Sequence, residues 1–582
     1  MGWMIRKGGG RMSLAGQKKA GEMGRQGADG KNTAILRFFR GLCRETAEFG
    51  SFIKRNRAGA LFSGAAALFV YWGWLTSADI TVDSEIMMTD PQSMMASWLG
   101  INRFGLVFTK HLFGMTSFVP SVSKVLTVCM LWITAMFFSF CVYKWSAEQK
   151  RFLIFSAAFP ALYLTAPCFA EQFYFTLQSF EVVFALFLCG AAVYGAGQLV
   201  FFRGGLLWGL ISVLLMVWAF GTYQAMAAVA VTLTVILFMI VYLSDTGKGR
   251  GRSFWFLSGV RLALIFLSGF VLYLLTASLV RRLSGGSEAY VADMVHWKTE
   301  GVRQCIGYVK GEVRRVFDCY YVMFRPGFQW ILLLFLTISC VWAGRKREKG
   351  LLFYLAAAVL FLISPFFMTI VSGYYQPIRA QLVYPLVYGF SAAFLAAALW
   401  PSESAGARKE EQRSKAGRRS RIRKGLSLAA VFMCLAASWR QGCDTARLFQ
   451  TVHEVSEQDT ALTGEIYGRA GKMAADAGLD ISDCTFIFLG SRQASLTGEK
   501  LLGDVIGCSF YQWDAASSMG ISRRIYDLMQ ALNLPCAEPV LSRYLDSLPF
   551  SQSMTCYPAE GSIVLDEDTV IVKLSEPVQS GS

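Results

Sequence analysis

Between Ala78 and Pro120 the chain reads ADITVDSEIMMTDPQSMMASWLGINRFGLVFTKHLFGMTSFVP. Four acids come first: Asp79, Asp83, Glu85 and Asp90. A helical-looking amphipathic segment follows, carrying Asn102, Arg103, Lys110 and His111. A carboxylate can take the proton from an attacking hydroxyl, and an arginine can hold a leaving phosphate. Both residue types stand here, between the first two long apolar segments.

Other chemistries find little support. Only three histidines occur, His111, His296 and His453, too far apart in sequence to suggest a catalytic zinc centre. No GxSxG or Cys-His pattern argues for covalent hydrolysis. Gly490 and Ser491 follow a strand-like run, but no GxGxxG or Walker pattern accompanies them. There are 14 cysteines. Cys129, Cys141, Cys189 and Cys434 sit in apolar runs and read as small core residues. Cys484, Cys508, Cys536 and Cys556 lack CxxC spacing, so zinc is not indicated, and disulfides stay open if the tail lies outside. One or two carboxylates could hold Mg²⁺ or Mn²⁺ together with several waters. No ligand set stands out, so a divalent cation is left open.

The composition defines the elements that must position these residues. Of 582 residues 54% are hydrophobic and only 16% charged. Many apolar runs have the roughly 15 to 25 residues that cross a bilayer as helices. About eleven spans are expected near 59–77, 121–142, 152–166, 174–195, 205–220, 223–243, 254–279, 321–343, 351–371, 382–400 and 426–439. The formal charge is +16, yet residues 440–582 hold ten Lys and Arg against 19 Asp and Glu. A basic membrane part with an acidic tail reads as two sides of a bilayer, with no nucleic-acid partner. An inside N-terminus makes five loops cytoplasmic, and all are basic. They contain Lys144 to Arg151, Arg203, Lys248 to Arg252, Arg345 to Lys349, and Arg408 to Lys424. The tail then lies outside.

The fold class expected is an α-helical polytopic membrane protein with a small extracytoplasmic α/β domain at its C-terminus. Residues 1–58 form a basic cytoplasmic region, 59–439 the membrane domain and 440–582 the tail. Residues 1–33 are expected to be irregular and to hold no signal peptide, and 34–57 to form an interfacial helix. Residues 444–477 read as a long helix, 484–490 and 569–575 as strands, and 521–533 as a helix. Loop 280–320 is basic although outside. It reads as an interfacial helix or as a cradle for phosphate, with Arg281, Arg282, Lys298, Arg303, Lys310, Arg314 and Arg315 partly offset by Glu288, Asp293, Glu300, Glu312 and Asp318.

Polar residues gather at the outer ends of the spans. EQFYFTLQSFE holds Glu171, Gln172, Gln178 and Glu181. At 100° per residue, Glu171, Gln178 and Glu181 fall within about 80° of one face of a continuous helix. Tyr223 and Gln224 begin the sixth span, and GYYQPIRAQ places Arg379 and Gln381 after Pro377. Each could be an interhelix hydrogen bond. Together they are better explained by a shared cavity facing outward.

The stretches ITVDSEIMM, SWLGINRFGLVFTK, EQFYFTLQS, GTYQAM and GYYQPIRAQLVYPLVYGF resemble the type II glucosyltransferase family, best known from O-antigen modification in bacteria. The resemblance covers about residues 59–400, and GSIVLDEDTVIVKLS near the end is also similar. It implies a C-type membrane glycosyltransferase acting on the outer face of the bacterial cytoplasmic membrane. The implied partners are a polyprenyl-phosphate sugar donor and an envelope glycan acceptor. It points to Asp83 or Glu85 as general base, with Ser84 between acids that the family often has adjacent. It also points to Arg103 as the arginine after the first outer loop and to Arg379 near the donor phosphate. A transporter or lipid-linked-sugar flippase is the alternative. Midplane ionisable groups and broken spans would favour it. A third reading gives the work to a ligand-binding tail.

Overall fold

The computed structural model describes residues 14–244, 250–285, 295–318, 327–346, 349–401 and 410–576. Among these, eight helices are long and apolar enough to cross a membrane. They are Arg57–Thr76, Pro120–Trp145, Thr176–Val200, Met226–Ser244, Arg252–Leu283, Phe328–Arg345, Leu351–Ser372 and a part of the chain beginning at Arg418. Leu206–Thr222 and Val383–Leu399 are apolar but shorter. Gln149–Leu164 occupies the place of the third expected span, with 16 residues and Lys150 and Arg151 in its first turn. The chain is a multi-pass membrane protein. In lipid only a helix satisfies every backbone group within one segment, which is why apolar length alone located these elements.

Met226–Ser244 is the innermost helix and is buried along nearly its whole length. Arg252–Leu283 lies outermost and exposes Leu264, Leu267, Leu274 and Leu275. Ser364, Pro365 and Phe366 form a 3₁₀ turn that divides the Leu351–Ser372 span, as a proline lacking its N–H would.

Three expectations change. A helix runs over Leu14–Arg55, so it starts well before the interfacial stretch expected at 34–57, and residues 14–33 are helical. Their Ala, Lys, Gln, Glu, Met and Arg are strong helix formers. The last span and the 444–477 helix are one 67-residue element, Glu410–Asp476, about 100 Å long at 1.5 Å per residue. Nothing in its sequence breaks the helix where the apolar part ends. The amphipathic segment at 91–113 is two helices, Pro91–Gly100 and Phe104–Leu112, turning at Asn102 with φ 65°. The four tail cysteines are all free. Lys248, Glu288, Asp293, Arg347 and Arg408 lie outside the described residues.

The tail contains a three-stranded sheet. β1 is Thr485–Leu489, β2 Ile563–Asp566 and β3 Thr569–Lys573, in the order β1-β3-β2. β1 pairs parallel with β3, from Thr485 with Thr569 to Leu489 with Lys573, and β2 pairs antiparallel with β3. β1 and β3 are buried throughout, as continuous apolar runs imply. Tyr467 of the long helix stacks on Phe486 of β1, which joins sheet and membrane helix. Helix Gly520–Ala531 packs between β1 and the short helix Ser84–Thr89, so the tail reaches the 78–120 loop.

Candidate active site

The 78–120 loop is pinned where it leaves the bundle. Lys124 Nζ donates to the Ser77 carbonyl at 2.8 Å, His453 Nδ1 meets Asp79 at 2.7 Å, and Ser456 Oγ donates to the Ile80 carbonyl. The chain then turns through Asp83, whose φ of 70° is left-handed. Asp tolerates that region better than most residues because its short side chain bonds locally. Ser84–Thr89 begins directly after it. Residues two apart on a helix do not face each other. The turn places Asp83 off the helix, so it and Glu85 meet one partner despite Ser84 between them.

That partner is Arg524 of the tail helix. Its Nη1 lies 2.8 Å from Asp83 Oδ1 and 2.9 Å from Glu85 Oε1, and its Nε lies 2.8 Å from Asp514 Oδ2. One guanidinium thus answers three carboxylates. Asp83 is one-third exposed, whereas Glu85 is fully buried. Glu85 Oε2 has no hydrogen-bond partner among the described residues. Burial pushes the Glu85 carboxyl up to about 8; Arg524 pulls it down and the charge of Asp83 pushes it up.

A second group surrounds Arg103. It donates to Gln178 Oε1 at 2.7 Å, and its guanidinium lies 5.2 Å from the Tyr223 ring. Gln224 donates to the Ile101 carbonyl, and Arg281 to Asn102 Oδ1. A helix pressed tightly against Leu206–Thr222 sets this position. A Cβ on Gly105 would stand 2.4 Å from the Trp218 carbonyl, so only glycine allows the approach. Arg103, Gln178, Tyr223 and Gln224 are therefore brought together as their outer-end positions suggest.

Arg379 anchors a third group. Its guanidinium lies 4.9 Å over the Phe175 ring, and it makes no hydrogen bond or ion pair among the described residues. Phe175 also meets Trp513, the neighbour of Asp514, which links this group to Arg524. Gln381 donates to Glu312 and to the Gln376 carbonyl. Gln172 is fully buried, and neither of its amide atoms has a partner among the described residues.

Glu171 departs from expectation. The helix breaks at Tyr174 and Phe175, so Glu171 and Gln172 sit on Cys168–Phe173 while Gln178 and Glu181 sit on Thr176–Val200. Periodicity across the break does not hold. Glu171 receives the N–H groups of Val505 and Ile506 from the tail. Burial and the nearby Asp504 push it up to about 7. Glu181 instead forms a fully buried 2.8 Å pair with Lys110. Asp504 also accepts from the Ile378 N–H at 2.7 Å. The tail segment around Asp504 thus reaches over Glu171 and Ile378. Within 280–320, Arg315 pairs with Glu312 on the helix Val302–Phe317, Arg314 with Asp318 at its end, and His296 with Glu300 before it.

Sequence reasoning missed Arg524, Asp504 and Asp514. Arg523-Arg524 on the helix expected at 521–533 was the available signal, and it reads equally as a solvated face. No group of three His, Cys, Asp or Glu suited to a metal ion occurs among the described residues.

Residues 74–396 match the family model described as glucosyl transferase GtrII. No curated protein matches the chain. Among solved structures it is similar to the archaeal oligosaccharyltransferase AglB from Archaeoglobus fulgidus, in complex with an inhibitory peptide and a dolichol-phosphate. That match has a TM-score of 0.35 and 11% identity, over 70% of this chain and 60% of that one. A second is the Archaeoglobus fulgidus oligosaccharyltransferase in complex with Zn and sulfate, at TM-score 0.34 and 12% identity, over 66% of this chain and 53% of that one. The chain thus spans less than two thirds of either protein.

Proposed function

The chain belongs to the glucosyl transferase GtrII family, and on that premise we propose that it moves a hexose, glucose by the family's description, from a polyprenyl-phosphate donor to an envelope glycan. The reaction is placed on the outer face of the cytoplasmic membrane, with the tail outside and the N-terminus inside. The charge division along the chain supports that orientation.

Glu85 is the general base in this reading. The observation that carries it is the division of labour between its two oxygens: Arg524 holds Oε1, and Oε2 has no partner among the described residues. The acceptor hydroxyl gives its proton to Oε2 as its oxygen bonds to the anomeric carbon. The bond from that carbon to the donor phosphate breaks, and the phosphate leaves with the electron pair. Such a single displacement inverts the anomeric centre. Arg379 and Arg103 are cations suited to the departing phosphate, and a guanidinium stabilises such charge best where water is excluded. Gln172, Gln178, Tyr223, Gln224 and Gln381 are proposed to position the sugar or the acceptor, and Glu171 to hold the tail segment over them.

Arg524 acts through Glu85 as a positioning residue. It favours the ionised carboxylate that a base requires and supplies positive charge between Asp83, Glu85 and Asp514. A carboxyl pushed up to about 8 by burial is a stronger proton acceptor than an ordinary glutamate. Because Glu85 is fully buried beneath Gly520–Ala531, this tail helix must shift for an acceptor to reach Oε2.

The test uses purified protein in nanodiscs with radiolabelled polyprenyl-phosphate glucose and crude envelope glycan. Label is expected in glycan with the wild type and not with Glu85→Gln. Undiminished transfer by Glu85→Gln and by the Asp83→Asn/Glu85→Gln double variant would sink the assignment. Movement of the lipid-linked sugar across the bilayer with no covalent product would favour the flippase.

A further inference from the structure

A charged cavity lies at the opposite end of the bundle from Asp83 and Glu85. It holds about 470 Å³, and Arg151, Arg345, Arg423, Glu148, Trp342 and Val341 are among its lining residues. Helices Phe328–Arg345 and Val383–Leu399 end here, and Gln149–Leu164 begins here.

Two of the arginines are anchored by backbone. Arg151 is 6% exposed and donates Nε and Nη2 to the Trp400 carbonyl at 3.1 and 3.0 Å. Its Nη1 lies 2.9 Å from Glu148, and its guanidinium lies 4.9 Å over the Trp342 ring. Arg423 donates to the carbonyls of Leu399 and Ala398. These bonds satisfy carbonyls at the end of Val383–Leu399, where the helix dipole favours cations. They leave three guanidinium charges against one carboxylate. Arg345 makes no hydrogen bond or ion pair among the described residues.

The opposite wall is apolar and opens sideways. Val341 is 47% exposed on the bundle surface, where acyl chains lie around a membrane helix. A free anion would use only the charged half of such a cavity. An amphiphile with a phosphate head uses both halves.

We infer that this cavity binds the head group of an anionic phospholipid, with Arg345, Arg151 and Arg423 facing the phosphate and the acyl chains lying along Val341. The site is distinct from the proposed reaction centre and does not depend on it.

Native mass spectrometry and thermal unfolding on the full chain in detergent test this, with phosphatidylglycerol, phosphatidylcholine or sodium phosphate added. The wild type should retain phosphatidylglycerol over phosphatidylcholine, and its unfolding midpoint should rise with phosphatidylglycerol alone. Arg345→Gln should weaken that preference about fivefold, since one basic residue near a lipid surface contributes about 1 kcal/mol. Arg345→Lys should keep most of it. Arg252→Gln, at the same end of the bundle but outside the cavity, should leave it unchanged. Three results would overturn the site: equal retention by wild type and Arg345→Gln, an equal loss with Arg252→Gln, or the same rise in midpoint from sodium phosphate alone.

Discussion

Buried charge is handled differently at the two ends of the bundle. Where Val383–Leu399 ends, Arg151 and Arg423 donate to the carbonyls of residues 398–400, and all three nitrogens of Arg151 are engaged. These bonds run between neighbouring spans and hold the bundle together. At the opposite end, beside the Lys110–Glu181 pair and Lys124, the buried groups include the carboxylates Glu85, Glu171 and Glu312. Glu171 depends on tail N–H groups and Glu85 on the tail cation Arg524. One Glu85 oxygen is left without a partner among the described residues. One end is satisfied by the membrane domain itself, whereas at the other Glu85 and Glu171 are completed by the tail. An end completed from outside can also open, and an unsatisfied buried carboxylate oxygen is costly unless something arrives to use it.

The sharpest way to break this contrast is Glu85→Gln, expected to lower transfer by about 10²- to 10⁴-fold, the range for a lost general base, with folding retained. Single-turnover transfer and circular dichroism together check it. Arg379→Gln comes next. Loss of a cation at the leaving phosphate should lower kcat by roughly 10²-fold, and the deficit should shrink with a donor bearing a better leaving group. Arg524→Gln should have a smaller effect on rate at high pH and a clear effect on the pH profile. The base must be ionised, so activity of the wild type rises with pH through about 8. Arg524 favours the ionised form, so its removal moves that rise to higher pH, and Arg524→Lys should restore part of the shift. An unmoved profile would reduce Arg524 to a structural contact. The smallest effect on catalysis is expected at the other end. Arg151→Gln should leave the pH profile alone and cost about 1.5–3 kcal/mol of stability, as charged hydrogen bonds to carbonyls do, read by denaturant melts in detergent.

Parts of this arrangement were legible in the chain. The apolar lengths marked where helices would stand, and the polar residues at their outer ends marked a level at which Arg103, Gln178, Tyr223 and Gln224 do meet. Asp83 and Glu85 stood out because acids beside apolar runs are costly unless used. Glu171 was misread because periodicity assumes an unbroken helix, and the break at Tyr174 and Phe175 carries no Gly or Pro to announce it. From sequence the 67-residue helix reads as two elements because composition changes along it while helix propensity does not.

The sequence alone determined what the bilayer and backbone impose: helical spans, a separation of basic and acidic regions, two buried-type strands in the tail and a pair of acids in the first outer loop. These follow from local composition, since hydrophobic length and charge act through neighbours a few residues away. Only the tertiary structure decided which cation faces those acids. Arg524 stands 439 residues beyond Glu85, and nothing in spacing or periodicity reports a contact of that span. It arises because the long helix carries the tail back over the outer loop, and β1 with its packed helix then sets one guanidinium between Asp83, Glu85 and Asp514.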